Sequence, residues 1–260
     1  MEEKDILRFK NREIKAKDLF EIQQIDKIMA YEFVRKYHYL GNAKFFAKYS
    51  FGLFAADSEL VGVATYACPQ GSEALHGWFG LPNSDKSIVE LTRLCMYPPL
   101  NGTNATSFLL GNSIKMLKPF GIRAVITLAT SDRHVGSIYQ VCNFRYFGLT
   151  SQKNDFWAFD TQGKPRGIVR DIQGVWVKKP QKHRYAYFLD KTLKCLYAEQ
   201  SKPKIGSKIE YSCCGGTKVV HDRRYNVDYT CPICTGHLYK IVNGNEEKPD
   251  TIENNQIRFG

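Results

Sequence analysis

The stretch Ser131-Asp-Arg-His-Val-Gly-Ser-Ile-Tyr-Gln-Val-Cys-Asn-Phe-Arg-Tyr-Phe-Gly148 decides the fold class of this chain of 260 residues. A mostly apolar run, 124–129, comes directly before it and predicts a buried strand. One or two helical turns are predicted from about residue 135 to 142, and alternation resumes over 143–147, which indicates another strand. The order of strand, loop, short helix and strand is typical of a mixed α/β sheet, in which ligands bind at the strand ends.

Upstream of this stretch the sequence predicts a helix and a hairpin. Apolar residues at three- and four-residue steps predict a helix from Asp18, as its N-cap, to about Lys36. Two strand-like runs, 51–56 and 60–67, flank a polar turn and predict a β-hairpin. The other predicted elements are a loose arm or edge strand (1–17), a long loop (68–85), a strand (87–97), a helix (104–117) and a strand that extends the sheet (155–160).

Charge and hydropathy narrow the class of protein. The chain has a formal net charge of +11, and an excess of this sign favours polyanionic partners such as nucleic acid. No run of about 18 apolar residues predicts a transmembrane helix, and the charged N-terminus has no apolar signal region. The sequence therefore predicts a cytoplasmic protein with no membrane partner.

Most of the basic excess falls within residues 163–204. This segment has eleven lysines and arginines against three acidic residues, with aromatic residues between them. We expect it to bind the phosphates of double-stranded DNA. The residues assigned to this contact are Lys178, Lys179, Lys182 and Arg184.

The eight cysteines indicate a metal site and reduced thiols. Four are scattered through the chain, whereas Cys213, Cys214, Cys231 and Cys234 cluster with the spacing of metal ligands. Cys231-Pro-Ile-Cys234 is typical of a zinc knuckle, and the four thiolates together would bind a structural Zn²⁺. His221 or His237 could replace one cysteine, and four unliganded cysteines are the remaining alternative.

Two motifs carry a resemblance to known families. Tyr139-Gln-Val-Cys-Asn-Phe144 resembles the "YxxxGF" motif of the GNAT acyltransferases, with Asn143 in place of the usual glycine. His134-x-Gly-x-Ile-Tyr139, Asn143-Phe-x-Tyr146 and the run 90–95, Glu-Leu-Thr-Arg-Leu-Cys, are more narrowly similar to the phage Mom family of DNA-modifying proteins, which are GNAT-related. The resemblance covers roughly residues 30–200.

The resemblance implies the catalytic residues. In GNAT enzymes the equivalent of Tyr139 protonates the departing coenzyme A thiolate. Asp132 and His134 lie at the end of the strand before it, where α/β sheets bind ligands, and either could orient or deprotonate the acceptor amine. Two structural alternatives stay open. Tyr139 could be a core tyrosine of a short amphipathic helix, and Asp132 could be the N-cap of that helix.

The resemblance also implies an acyl donor, acetyl-CoA or a related acyl-CoA. GNAT enzymes bind its pyrophosphate at the start of the helix after their fourth strand, where free N–H groups and the helix dipole favour an anion. The usual Arg/Gln-x-x-Gly-x-Gly/Ala is absent here, and a capped helix without a ligand is the alternative. The residues assigned to the donor are Leu94, Cys95, Met96, Gly102, Thr103, Asn104, Ala105 and Ser107.

The acceptor site is predicted from the strand at 87–97 and the end of the first helix. Strand alternation places Leu91, Arg93 and Cys95 on one face. Arg93 would then bind an anion of donor or DNA, or else form an internal ion pair. Tyr37, His38 and Tyr39 could stack on a flipped base, or could be half-buried aromatic residues at a helix end.

The predicted architecture is a mixed α/β, GNAT-like acyltransferase core with a C-terminal zinc-ribbon appendage. The predicted divisions are a catalytic core (1–160), a basic aromatic-rich extension (161–204), a zinc-ribbon module (205–243) and a disordered tail (244–260). The resemblance implies transfer of an acyl or methylcarbamoyl-type group to a base of DNA, adenine, which protects phage DNA from restriction. There are two alternatives. One is an N-acetyltransferase that acts on protein or small-molecule amines, and the other is a non-catalytic DNA-binding protein with a GNAT-like core.

Overall fold

The computed structural model describes residues 3–38, 44–69, 74–131, 134–159, 173–206, 213–214, 217–222, 226–235 and 237–248. The helices are α1 (Glu3–Lys10), α2 (Ala16–Leu19), α3 (Lys27–Tyr37), α4 (Ala74–Phe79), α5 (Ala105–Met116), α6 (Ser137–Val141) and α7 (Pro232–Thr235). The strands are β1 (Phe20–Gln24), β2 (Tyr49–Ala55), β3 (Leu60–Ala67), β4 (Ile88–Met96), β5 (Ala124–Thr130), β6 (Arg145–Leu149), β7 (Lys153–Ala158), β8 (Gly174–Lys179), β9 (Lys182–Phe188), β10 (Val219–Asp222), β11 (Val227–Thr230), β12 (Lys240–Val242) and β13 (Asn245–Glu247). Within the described ranges, no helix has both the length and the apolarity to cross a membrane.

A seven-stranded mixed sheet forms the framework of the protein, in the order β1-β2-β3-β4-β5-β9-β6. Strands β1 to β4 are joined antiparallel, and β4 pairs parallel with β5 through the crossover helix α5. The predicted mixed α/β class and the predicted hairpin of β2 and β3 are confirmed.

Strands β4 and β5 separate soon after they begin. Among the described residues their pairing covers three positions, Ile88 with Ala124 to Glu90 with Ile126. Both strands then continue, β4 to Met96 and β5 to Thr130, without further pairing to each other among the described residues. The backbone of β4 beyond Glu90 therefore has an edge that no strand of the described sheet covers.

A β-bulge at Thr92 changes which side chains of β4 share a face. Thr65 of β3 is opposite Arg93, whereas Tyr66 is opposite Leu91, so Thr92 is the extra residue. Leu91 consequently packs into the core beneath α5, and Cys95 packs into a separate cluster with α3. The prediction that Leu91 shares a face with Arg93 is wrong, because strict alternation does not survive a bulge. Cys95 lies on the α3 side of the sheet together with Arg93, as predicted.

The N-terminal region differs from its prediction. Residues 3–10 form helix α1, whose Ile6 and Phe9 are buried, in place of an arm or strand. The helix predicted from Asp18 begins only at Lys27, because 20–24 pairs with β2 as the edge strand β1. Asp26 is the actual N-cap, and its carboxylate accepts hydrogen bonds from the N–H groups of Ile28 and Met29.

The predicted long loop after β3 contains helix α4. Its Leu75, Trp78 and Phe79 are buried in a second core cluster, where the Trp78 and Phe147 rings are 5.8 Å apart. The described part of this segment therefore packs into the core.

The basic segment is divided between two sheets. Strand β9 is inserted between β5 and β6 in the large sheet, and β8 pairs antiparallel with β7 in a separate two-stranded sheet. The prediction that residues 155–160 extend the main sheet is therefore wrong, since Asp155 is opposite Val177 of β8. Alternation identifies a strand, but it does not specify the partner strand.

The chain forms two compact units, whose limits differ from the predicted boundaries at 160 and 204. Unit 1 comprises Met1–Ala129, Gly136–Gly148 and His183–Ile205, and unit 2 comprises Thr130–Val135, Leu149–Lys182 and Gly206–Gly260. Unit 2 has its own core, in which side chains of β8 pack with the C-terminal strands. Its second sheet has the order β10-β11-β12-β13 and continues to Glu247, past the predicted start of the tail at 244. Residues 249–260 lie outside the described residues.

Candidate functional site

Tyr139 lies half-buried on the short helix α6 in unit 1. Its N–H donates to the carbonyl of Gly136, and its own carbonyl accepts from Phe144, each at 3.0 Å. Its ring lies 5.5 Å from the rings of both Phe144 and Tyr185. The ring is therefore held from two sides by buried aromatic residues, and the helix backbone fixes its position along the chain.

Asn143 occupies a left-handed position directly after α6. Its φ is 63°, in a region that most L-residues avoid and that glycine and asparagine tolerate. A residue of this conformation commonly ends a helix and allows the chain to enter the next strand. The structure thus explains why asparagine can stand where the motif usually has glycine.

Gly136 is a second residue that this local structure requires. It begins α6 with φ 69°, and a Cβ there would be 2.6 Å from Cε2 of Tyr185 and 2.9 Å from Cδ2 of Tyr139. Tyr185 is fully buried and has little room to move. Only a residue without a side chain allows both rings to occupy their places.

We expect Gly136→Ala to lower the free energy of unfolding by about 2–5 kcal/mol, from left-handed strain and overpacking together. Gly121→Ala is the matched control, because Gly121 has φ 72° and no atom within 4 Å of the added Cβ. The control should lose only about 1–2 kcal/mol. Urea denaturation of both variants measures the difference, and equal losses would contradict the packing argument.

The first turn of α5 lies beside the helix that carries Tyr139. The Sγ of Cys142, on the α6 side, is 3.8 Å from the carbonyl oxygen of Ser107 in α5. Asn104 does not cap α5 with its side chain, and among the described residues nothing accepts from the N–H groups of Thr106 and Ser107. Gly102, with φ 79°, leaves open space in front of this turn. The arrangement suits an anion at the helix start.

The other residues assigned to the donor have mixed exposure. Thr103 and Asn104 precede α5 at its start, with the Thr103 hydroxyl bonded to the Leu100 carbonyl, and Ala105 is buried. Cys95 and Met96 are also buried, so these two offer a ligand only their backbone groups. Leu94 is partly buried against the core beneath α5.

The thiols near this site are not nucleophiles. Burial raises the pKa of Cys142 to about 11 and that of Cys95 to about 12. Both groups are therefore protonated at neutral pH, and neither offers a thiolate.

Sequence reasoning missed a set of buried hydroxyl groups around Tyr139. Tyr66 shares a hydrogen bond of 2.6 Å with Ser113 of α5, and Tyr185 accepts one of 3.2 Å from Gln140. Burial raises the pKa of Tyr66 above its usual range and that of Tyr185 to about 12, so both stay neutral. The hydrophobic pattern of β3 and β9 places these residues inside, but it does not predict that they meet.

Arg93 lies on the α3 side of β4. Its Nη1 donates to the carbonyl of Thr92 at 2.7 Å, and its guanidinium lies 4.9 Å from the ring centroid of Phe45. Its Nε is buried and has no hydrogen-bond partner among the described residues, none of which supplies a carboxylate within ion-pair distance. The predicted internal ion pair is therefore not found in the described part of the chain. The Nε–H group of Arg93 can donate a hydrogen bond to an anionic ligand.

The aromatic run at the end of α3 has several environments. Tyr37 packs on Phe33 and Tyr97, with ring centroids 4.8 and 5.5 Å away, as a half-buried helix-end residue. Burial, and secondarily the charge of Arg93, lower the pKa of His38, so its imidazole is neutral at neutral pH. Tyr39 lies outside the described residues.

The other two predicted catalytic residues are Asp132 and His134. Asp132 lies outside the described residues. His134 is exposed and belongs to unit 2, where its N–H donates to the carbonyl of Thr130 at 3.2 Å.

The residues assigned to DNA phosphates are found in both units. Lys178 and Lys179 are exposed on β8, and Lys179 lies 3.7 Å from the carboxylate of Asp155. Lys182 is half-buried at the start of β9. Arg184 belongs to unit 1, where it lies over the Tyr197 ring and donates to the Phe147 carbonyl.

Three lysines of unit 2 surround one small pocket of about 180 Å³. The pocket is lined by Thr150, Ser151, Lys153, Lys179, Pro180 and Lys182. Only Lys179 among its lysines has an ion-pair partner in the described part of the chain. This surface therefore carries uncompensated positive charge beside two hydroxyl groups.

The four C-terminal cysteines meet at one point in unit 2. Their sulfur atoms all lie within 4.8 Å of one another, and three of the separations are 3.4, 3.6 and 3.8 Å. A tetrahedral zinc with Zn–S bonds of about 2.3 Å places its sulfurs about 3.8 Å apart, so the set fits a metal ion. His221 instead bonds Asp228, and His237 stacks on Tyr239, so neither histidine joins this cluster.

The mixed sheet with its crossover helix α5 and the short helix α6 belongs to the predicted mixed α/β class. Within this class, the chain is a member of the Mom protein family, whose sequence model matches residues 19–204. The family resemblance carried by the tyrosine motif is thereby confirmed.

Several solved acetyltransferases are similar to this chain. The IAA acetyltransferase from Bacillus cereus shares 15% identity at a TM-score of 0.41, with 65% of this chain and 99% of that chain covered. The ribosomal-protein-S18-alanine N-acetyltransferase from Escherichia coli shares 11% identity at 0.43, with 69% and 100% covered. A GNAT family acetyltransferase from Elizabethkingia anophelis with acetyl-CoA bound shares 13% identity at 0.40, with 66% and 99% covered. A comparison with curated proteins finds no match.

Proposed function

We propose that this protein is a DNA base-modifying transferase. It adds an acyl or methylcarbamoyl-type group to the amine of adenine in DNA. The observation that carries the proposal is the contact between α6 and the first turn of α5, which places Tyr139 on the element next to the free helix start. Family membership and the lysine pocket of unit 2 support DNA as the substrate. The modification would protect phage DNA in the host cytoplasm from restriction.

The residues present fit an acyl-CoA donor. The free N–H groups at the start of α5 would hold its pyrophosphate, and the uncovered edge of β4 would face its pantetheine arm. The thioester supplies an activated acyl group. In this proposal the acyl group is transferred directly to the base amine, and Cys95 and Cys142 remain protonated thiols.

Tyr139 acts at the leaving group in this proposal. As the amine nitrogen bonds to the acyl carbon and the carbon–sulfur bond breaks, the phenol gives its proton to the departing sulfur. The proton lost by the amine goes to a base, for which neutral His38 of unit 1, Asp132 and His134 are the candidates. Arg93 contributes a buried Nε donor that can hold an anionic oxygen of the substrate.

Nucleoside mass spectrometry tests the function. DNA from cells that express the protein is digested to nucleosides and compared with DNA from cells that express Tyr139→Phe. A new deoxyadenosine derivative that depends on Tyr139 is the expected result. Acylation of a protein or polyamine fraction without modified DNA would contradict the proposal, and DNA binding without any acylation would indicate a non-catalytic DNA-binding protein.

The lysine pocket makes a prediction about salt dependence. Changing Lys153, Lys179 and Lys182 to Gln together should weaken binding to duplex DNA of any sequence. The slope of log affinity against log salt should flatten by about 2–3 units, since each lost phosphate contact is worth roughly 0.9. Changing Lys10, Lys17 and Lys118, which are exposed elsewhere, removes the same charge as a control. Equal slopes for the two triple variants would show that the pocket binds no phosphate.

A further inference from the structure

An exposed apolar groove runs along α3 in unit 1, beside the segment that leads into β2. It has a volume of about 330 Å³, at the low end of small-molecule sites. Phe46 and Ile28, which line it, are 65% and 64% exposed. The residues of this α3–Phe46 groove are Lys27, Ile28, Tyr31, Glu32, Phe46 and Ala47.

Side-chain contacts connect the groove to Arg93 of β4. The Tyr31 ring stacks on Phe45 with centroids 4.2 Å apart and planes at 22°, and its hydroxyl donates to the Phe45 carbonyl. The carbonyl of Phe46 accepts from Oγ1 of Thr92 at 2.9 Å, at the bulge of β4. Arg93 lies over the same Phe45 ring. One aromatic stack therefore joins the groove to the orphan Nε donor.

The charges around the groove select its occupant. Lys27 begins α3, and Lys44 and Lys48 are exposed on the flanking segment. Against these three lysines stand the carboxylate of Glu32 in the groove and that of Asp26, which caps α3. A purely apolar partner gains nothing from these lysines. A nucleobase has a π face for Phe46 and polar edges for Glu32 and Lys27, and it carries its own phosphates to the lysines.

We propose that the α3–Phe46 groove holds an unstacked nucleobase of locally opened DNA, with the base stacked on Phe46. This inference rests on the proposed function and deepens it, because it names the surface that binds the unpaired DNA base. Base–aromatic stacking tolerates any base, so the groove recognises an unpaired base without selecting a sequence. The extrusion that a base-modifying enzyme requires would be stabilised here.

Binding measured by fluorescence anisotropy tests the groove with two DNA probes, a fully paired duplex and the same duplex with one unpaired base. The wild-type protein should bind the opened probe more tightly. Phe46→Ala should weaken binding to the opened probe by roughly 5- to 150-fold, the range of one stacked base, and binding to the paired probe by less than about 2-fold. Phe46→Trp should restore the preference, because the indole also stacks.

Leu7→Ala is the matched control, since Leu7 is 58% exposed on α1 and should leave both affinities unchanged. Circular dichroism confirms that each variant is folded. If Phe46→Ala binds both probes like the wild type, or loses both equally, the groove is not a base site, while DNA modification by the wild type would keep the proposed function intact. If the wild-type protein binds neither probe, both the proposed base site and the proposed function are wrong.

Discussion

Tyr139→Phe should reduce the rate of base modification by about 10²- to 10⁴-fold, the usual contribution of a general acid. The phenyl ring keeps both aromatic contacts, with Phe144 and with Tyr185, so the free energy of unfolding should change by less than about 1 kcal/mol. Single-turnover assays with saturating donor and DNA measure the chemical step. The loss should appear in that step and not in DNA affinity.

Tyr49→Phe is the matched control for this variant. Tyr49 is buried on β2, where its ring packs on Phe120, and no role in the transfer is assigned to it. Its rate should equal that of the wild-type protein. A Tyr139→Phe variant that modifies DNA at the wild-type rate would show that Tyr139 is a packing residue of α6, the structural alternative for this position.

Cys231→Ser should abolish metal binding and unfold the C-terminal module of unit 2. We propose that the purified wild-type protein holds about one zinc per chain, since the four sulfurs fit a tetrahedral site. Burial raises the pKa of Cys213 above its usual range and that of Cys234 to about 11, so without a metal these thiols are buried and protonated. Structural zinc contributes roughly 10–16 kcal/mol to the folding of small modules, far more than the packing of four strands.

Elemental analysis and hydrogen exchange together measure this effect. The zinc content should fall from about one ion per chain to zero. Peptides from 226–248 should lose their protection against hydrogen exchange, while peptides from 49–67 keep it. Cys195→Ser is the control, because Cys195 lies in unit 1, outside the sulfur cluster. A wild-type protein purified without chelators and free of zinc would contradict the prediction, as would a Cys231→Ser variant with a protected C-terminal module.

The parts of the site that lie close together in the chain were predictable. Tyr139, Asn143 and the helix between them follow from a local pattern, because the hydrogen bonds that form one helical turn join residues three or four apart. The pairing of Cys231 with Cys234 follows for the same reason, since a tight turn brings both sulfurs to one side. The hairpin of β2 and β3 also follows, because a short polar turn leaves the two strands little choice of partner.

The first helix was predicted to start too early because two periodicities overlap. Leu19 and Ile22 fit a helical step, yet residues 20–24 form the edge strand β1, which gains hydrogen bonds from β2. The competing partner strand lies about thirty positions away in the sequence. A local sequence pattern does not include that partner strand. The N-cap at Asp26 marks the start of helix α3.

The sequence by itself determined the hairpin of β2 and β3, the tyrosine motif on α6, the cysteine set and the excess of positive charge, because each depends on residue identity and short spacing. Only the tertiary structure decided that β9 enters the large sheet while β8 joins unit 2, that Thr92 bulges out of β4, and that Phe46 borders an open groove. These features depend on which distant segments compete for the same backbone hydrogen bonds and the same apolar surface. That competition is settled by the packing of the whole chain, so no local pattern of residues contains its outcome.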